Sequence, residues 1–132
     1  MLSRDETLGV IREAYEARVR GDKEALGRYW ADGARFEIAG RPDLLQNVPL
    51  SAEVPMDAVG ELIDRFTFDD LELVDSIIEG PRAAIRWRVN VAYQGSAPQR
   101  TELLDIFELN DEGKITSFVQ FADTALVRHM TN

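Results

Sequence analysis

The sequence predicts an α+β domain with helices covering one face of a strongly curved sheet. Three observations carry this. Apolar residues recur at helical spacing in the N-terminal half, most clearly at Leu8, Ile11, Tyr15 and Val19 and again at Met56, Val59, Leu62, Ile63 and Phe66. From residue 69 onward the apolar period changes from 3.6 to 2. Turn residues then divide the second half into four consecutive strands. Helices first and antiparallel strands afterwards make segregated layers, and a bent sheet closed by helices makes a cone able to hold an apolar pocket.

The elements follow in order. Ser3 and Glu6 fit a capping box for a helix over 4–20, and Gly21 fits its stop. Asp22 caps a short second helix running through Ala25, Leu26, Tyr29 and Trp30, and Ala31-Asp32-Gly33 reads as a turn. Arg35 to Ile38 alternates as a short strand. Residues 41–55 hold Pro42, Pro49 and Pro55, which break any long element. They also hold Leu44, Leu45, Val48, Leu50 and Val54, too apolar for a solvated linker, so this loop is expected to fold over the domain as a lid. A third helix spans 56–67 and a less regular strand 69–79. Ala83, Ile85, Trp87, Val89, Val91 and Tyr93 share one face of a long strand, with Arg82, Arg86 and Arg88 on the other. A hairpin over 101–123 turns at Asn110 to Gly113, and 124–130 forms a terminal helical turn or two.

Composition narrows the function. At 132 residues the chain is expected to form one domain, 1–132, with a sizeable core. A net charge of -9 argues against nucleic acid and anionic membrane surfaces. With no cysteine and the single histidine His129, thiol chemistry and a histidine-rich zinc site are excluded. Asn110 to Gly113 lacks the spaced ligands of a calcium loop. No metal or cofactor is expected. No apolar run approaches the roughly 20 residues of a membrane span, and no signal-peptide core opens the chain, so a cytoplasmic location is expected.

One residue breaks the pattern. Asp105 shares a strand face with Leu103, Phe107 and Leu109. A buried carboxylate must be protonated, hydrogen-bonded or paired with a base. It is therefore either a structural group, with Arg18 as one partner, or the working acid of a pocket. Tyr15 can point its hydroxyl into the same cone. Trp30, Phe36, Phe66, Trp87 and Phe118 can wall a flat apolar ligand or simply fill the core.

The stretch from Gly21-Asp22 through Tyr29-Trp30-Ala31-Asp32-Gly33-Ala34 to Phe36 is recognisable. So are Leu104-Asp105-Ile106-Phe107-Glu108-Leu109, Gly113-Lys114-Ile115 and Phe121-Ala122-Asp123. On these residues the chain resembles the nuclear transport factor 2-like superfamily, among its SnoaL-like and ketosteroid isomerase-like small proteins. The resemblance implies a cystatin-like α+β roll, a curved antiparallel or mixed sheet wrapped around N-terminal helices. Ketosteroid isomerase combines an aspartate base with an oxyanion hole of tyrosine and protonated aspartate. Aligned on the hairpin strand, Asp105 falls at the protonated aspartate. The base position falls at Ile38, which cannot take a proton, and the tyrosine position at Ala14, with Tyr15 one residue on. Steroid isomerisation itself is disfavoured. By the resemblance the face of Gln120 also lines the pocket.

The expected site thus has Asp105 and Tyr15 as acid or hydrogen-bond donors. Its expected lining is Trp30, Phe36, Ile38, Phe66, Trp87, Val89, Phe118 and Gln120. The expected ligand is a small apolar oxygenated molecule, bound and transformed by isomerase, cyclase, dehydratase or hydrolase chemistry, or bound without reaction. A third reading is an interaction module whose pocket is only filled core. A homodimer is expected through the outer sheet face carrying Arg86, Arg88, Leu104 and Ile106, since Leu104 and Ile106 would expose an apolar patch in a monomer.

Overall fold

The computed structural model describes all 132 residues. Helix α1 (Arg4–Arg20) starts on the Ser3–Glu6 capping box and ends at Gly21, whose φ of 72° suits glycine best. Asp22 caps α2 (Lys23–Gly27) by accepting from the Ala25 amide. Strand β1 (Trp30–Ile38) follows directly, then helix α3 (Pro55–Arg65), opened by a proline where no backbone donor is needed. Strands β2 (Phe66–Glu79), β3 (Arg82–Tyr93), β4 (Gln99–Leu109) and β5 (Ile115–Ala122) complete the sheet, and helix α4 (Thr124–Thr131) closes the chain.

The sheet order is β1-β5-β4-β3-β2, antiparallel except for the parallel β1–β5 pair. Register shifts interrupt β1 between Trp30 and Arg35 and β2 at two places, at the first of which Asp70 takes a φ of 51°. Such bulges bend and twist a sheet. The concave face is held by fully buried Trp87, Phe107, Ile85, Val89 and Ile115, against which Ile11 of α1 packs. The α+β cone of the sequence reading is the observed architecture.

Several boundaries differ from expectation. Helix α2 stops at Gly27 and Trp30 already belongs to β1, because the Tyr29 carbonyl accepts from the Ile115 amide at 2.7 Å and ties this segment to β5. Ala31-Asp32-Gly33 is not a turn but a bulge within β1, with Gly33 at a φ of 73°. Helix α3 ends at Arg65, and Phe66 opens β2 in extended conformation. On α1 the buried face includes Thr7 and Arg18, while Val19 is only half-buried.

The loop over 40–54 packs against the domain. Leu45 and Val48 are buried. The Ile38 amide donates to Leu50 O at 2.7 Å, Arg65 Nη1 to Asn47 O at 2.8 Å, and Asn47 Nδ2 to Thr131 O at 3.0 Å. The loop is thereby tied to the sheet edge, to α3 and to α4 at once. No helix is long and apolar enough to cross a membrane.

Candidate functional site

The cone encloses a cavity of about 90 Å³ lined by 28 residues, 23 of them hydrophobic. Trp30, Phe36 and Phe118 form one aromatic wall, with Phe118 at 5.4 Å from Phe36 and 6.1 Å from Trp30 between ring centroids. Phe66, Ile38, Val89 and Gln120 also line it, as does Tyr15. Leu45, Val48 and Leu50 of the loop and Leu126, Val127 and Met130 of α4 close it.

Asp105 is fully buried on β4 and satisfied by three side chains from three elements. Its Oδ2 accepts from the Tyr15 hydroxyl of α1 and from Trp87 Nε1 of β3, the latter at 3.0 Å. Its Oδ1 accepts from Gln120 Nε2 of β5 at 3.1 Å, and the same amide also donates to the Tyr15 oxygen at 3.1 Å. Asp105 and Gln120 are direct cross-strand partners, so sheet register alone sets their approach. The Tyr15 ring stacks obliquely on Trp87 at 4.3 Å.

Burial is the main influence on the Asp105 carboxyl and raises it to about 7, against the lowering effect of the three hydrogen bonds from Tyr15, Gln120 and Trp87. Burial and the neighbouring Asp105 push Tyr15 well above the ordinary tyrosine range. When a proton is taken up near neutrality, it therefore goes to Asp105. The cluster has two hydrogen-bond arrangements. With Asp105 ionised, the single Tyr15 proton is committed to it. With Asp105 protonated, the carboxyl can donate to the Tyr15 oxygen, and the Tyr15 proton is free to point into the cavity.

Two expectations change. Asp105 and Trp87 do not line the cavity. Asp105 has all three donors turned upon it, and Trp87 spends its indole N–H on that carboxylate; the groups of the cluster that line the cavity are Tyr15 and Gln120. Arg18 does not pair with Asp105. Its Nη2 donates to Phe66 O at 2.7 Å and Leu62 O at 3.3 Å. Asp123 caps α4 by accepting from the Leu126 amide at 3.0 Å and also lines the cavity.

The sequence reading left Arg18, Asp123 and the α4 residues out of the lining. For α4 the signal was available in Leu126, Val127 and Met130 at helical spacing, but which face of the cone the helix meets depends on tertiary packing. No group of three or more His, Cys, Asp or Glu residues is arranged to hold a metal ion.

A model of the SnoaL-like domain matches residues 11–118. A search of curated proteins finds no significant match. Among solved structures, the chain is similar to an LEH-like epoxide hydrolase from M. tuberculosis, with 13% identity, a TM-score of 0.74, and 96% of this chain and 90% of that one covered. It is similar to AusH from Aspergillus nidulans, with 20% identity, a TM-score of 0.73, and 93% and 87% covered. It is also similar to an NTF2-like protein from Burkholderia xenovorans, with 16% identity, a TM-score of 0.73, and 100% of both chains covered. At these identities the likeness shows the fold alone. The family match over residues 11–118, most of the chain, places this protein in the SnoaL-like family, on a fold shared with NTF2-like proteins.

Proposed function

We propose that this protein binds a small, largely apolar oxygenated molecule in the cone, with Tyr15 and Gln120 supplying the polar contacts and Asp105 behind them setting the protonation state. The observation that carries this reading is the Tyr15–Asp105–Gln120 cluster at the wall of an otherwise apolar cavity. A few convergent polar groups in an apolar concavity are the ordinary makings of a ligand site. Where the ligand is transformed, the chemistry is acid-assisted. A ligand carbonyl or epoxide oxygen accepts from Tyr15 as charge develops on it, while Asp105 holds the compensating proton. Ile38 on the cavity wall cannot abstract a proton, and the one wall carboxylate, Asp123, serves as the cap of α4. Enolisation of the steroid isomerase kind is therefore disfavoured, and binding is the first role.

A thermal-shift screen with small ketones, epoxides and aromatic polyketides tests the reading, run on the wild type beside Tyr15→Phe. Stabilisation of the wild type that is weakened in the variant is expected. Equal stabilisation of both would remove Tyr15 from the site, and no response to any compound would leave a packed core in place of a pocket.

The outer sheet face supports a second element of the proposal, a homodimer. Leu104, Ile106, Phe121 and Ile77 are exposed. Leu104 pairs with Phe121 and with Arg86, while Ala84 lies between Ile106 and Ile77, so the four side chains share one face. Ion pairs of Arg86 and Arg88 with Glu102 flank this patch. Ile106→Asp is expected to yield monomers by light scattering; a parent protein already monomeric would end the dimer reading.

A further inference from the structure

The cavity wall carries a single cation, and no side chain neutralises it. Arg18, one turn beyond Tyr15 on α1, is only 9% exposed and lines the cavity. Through Nη2 it caps the C-terminal end of α3, at the Leu62 and Phe66 carbonyls, where the helix dipole favours a cation. Its guanidinium lies 3.8 Å from the ring centroid of Phe68. These contacts engage one of three nitrogens. Nε and Nη1 have no protein acceptor. The only side-chain nitrogen or oxygen atoms sealed off without a partner are Thr7 Oγ1 and Trp30 Nε1, so the two free nitrogens of Arg18 still border open space.

No counter-ion is at hand. Asp105 is saturated by Tyr15, Trp87 and Gln120, and Asp123 caps α4. Burial lowers Arg18 to about 10, and only Tyr15 acts in the opposite direction. The contrast with the rest of the molecule is sharp: Arg86, Arg88 and Arg100 each have a carboxylate partner, in a chain with 24 acidic residues against 15 basic ones. A buried cation without a counter-ion is costly, and native chains normally pair it.

Building on the pocket reading above, we propose that the ligand is a small apolar carboxylate. Its carboxylate pairs with Nε and Nη1 of Arg18 in a two-pronged contact, and its hydrocarbon part lies against the aromatic wall. A single negative charge fits because Arg18 is the only cation on the wall. Tyr15 and Arg18 stand three residues apart on one helix face, so a carbonyl or hydroxyl near the ligand's carboxylate end would come within reach of Tyr15.

The test compares benzoate, phenylacetate and hexanoate with their uncharged primary amides by calorimetry at about pH 6, where the carboxylates are ionised. Wild type, Arg18→Met and Arg18→Lys are measured. The wild type is expected to bind carboxylates at least roughly tenfold more tightly than amides, and Arg18→Met to lose that margin with amide affinity little changed. Arg18→Lys, which keeps the charge but not the fork, is expected to fall between. Amides binding the wild type as well as carboxylates would overturn the proposal without any variant, leaving Arg18 as the cap of α3 and the pocket reading intact. Carboxylate preference persisting in a folded Arg18→Met would do the same. Failure of both compound classes to bind would remove the pocket reading and this one together.

Discussion

Replacing Asp105 by asparagine should flatten the pH dependence of stability in the neutral range. Burial raises this carboxyl from 3.8 to about 7. A group whose folded pKa lies above its unfolded value keeps a proton in the folded chain that the unfolded chain has released. Its contribution is whole below the unfolded value and is lost as pH rises through the folded one. The slope for one proton is ~1.4 kcal/mol per pH unit and tapers as pH nears the folded value, so the wild type should lose ~2 kcal/mol between about pH 5 and pH 7 from Asp105 alone. Against a typical total of ~5–15 kcal/mol this is readily measured. Glu6, held low by its capping contacts with Ser3, and Glu102, held at about 2 by Arg86 and Arg88, give up their contributions only at acid pH, so the window isolates Asp105. Asparagine has nearly the same volume and can accept from Tyr15 and Trp87 through its one oxygen, provided the Gln120 amide turns to meet the new N–H₂. Urea denaturation of both proteins at several pH values is the assay. Parallel wild-type and variant profiles across this window would refute the reasoning, because Asp105 would then be ionised in the folded chain throughout.

Tyr15→Phe removes one of the three donors that hold the Asp105 carboxyl down, so the pH midpoint of the stability profile should move above the wild-type value. The lost buried hydrogen bond should cost ~1–3 kcal/mol at alkaline pH, read by the same urea series. Gly40→Ala would set a Cβ 2.7 Å from Leu45 Cδ1, closer than atoms tolerate, with Thr124 and Leu50 behind it. The end of the Leu45 side chain must swing aside, destabilising the protein by ~1 kcal/mol, the low end of the cost of overpacking. Amide exchange in residues 41–50 should rise selectively; exchange rising evenly over the whole chain would mean that the loop is not a separable cover.

The helical and strand periods were written plainly into this chain. Trp87, Val89, Leu103 and Phe107 alternate as the concave face requires, and Ser3, Gly21 and Asp123 mark helix ends by local chemistry that needs no tertiary context. Asp105 was legible because a carboxylate interrupts that alternation. Its partners were less so. Gln120 follows from hairpin register, but Trp87 is offset along β3, and Tyr15 arrives from a helix 90 residues away. Arg18 sits beside Tyr15 on the same helix face, yet a long cationic side chain on an amphipathic helix usually reaches water. Only the arrival of the α3 C-terminus and Phe68 over it turns it inward. The α2–β1 boundary was misread for a related reason: Tyr29 and Trp30 suit either period, and a parallel pairing with β5 decided between them.

The central claim is that Asp105, by taking up a proton, frees the Tyr15 hydroxyl to meet a ligand oxygen in the cone. The most direct test is the affinity of a small neutral ketone, such as cyclohexanone, measured across the pH range around 7 in the wild type and in Asp105→Asn. The account predicts affinity that falls in the wild type as pH rises through about 7, and no such fall in the variant. Affinity independent of pH in the wild type, with the ketone bound, would contradict it.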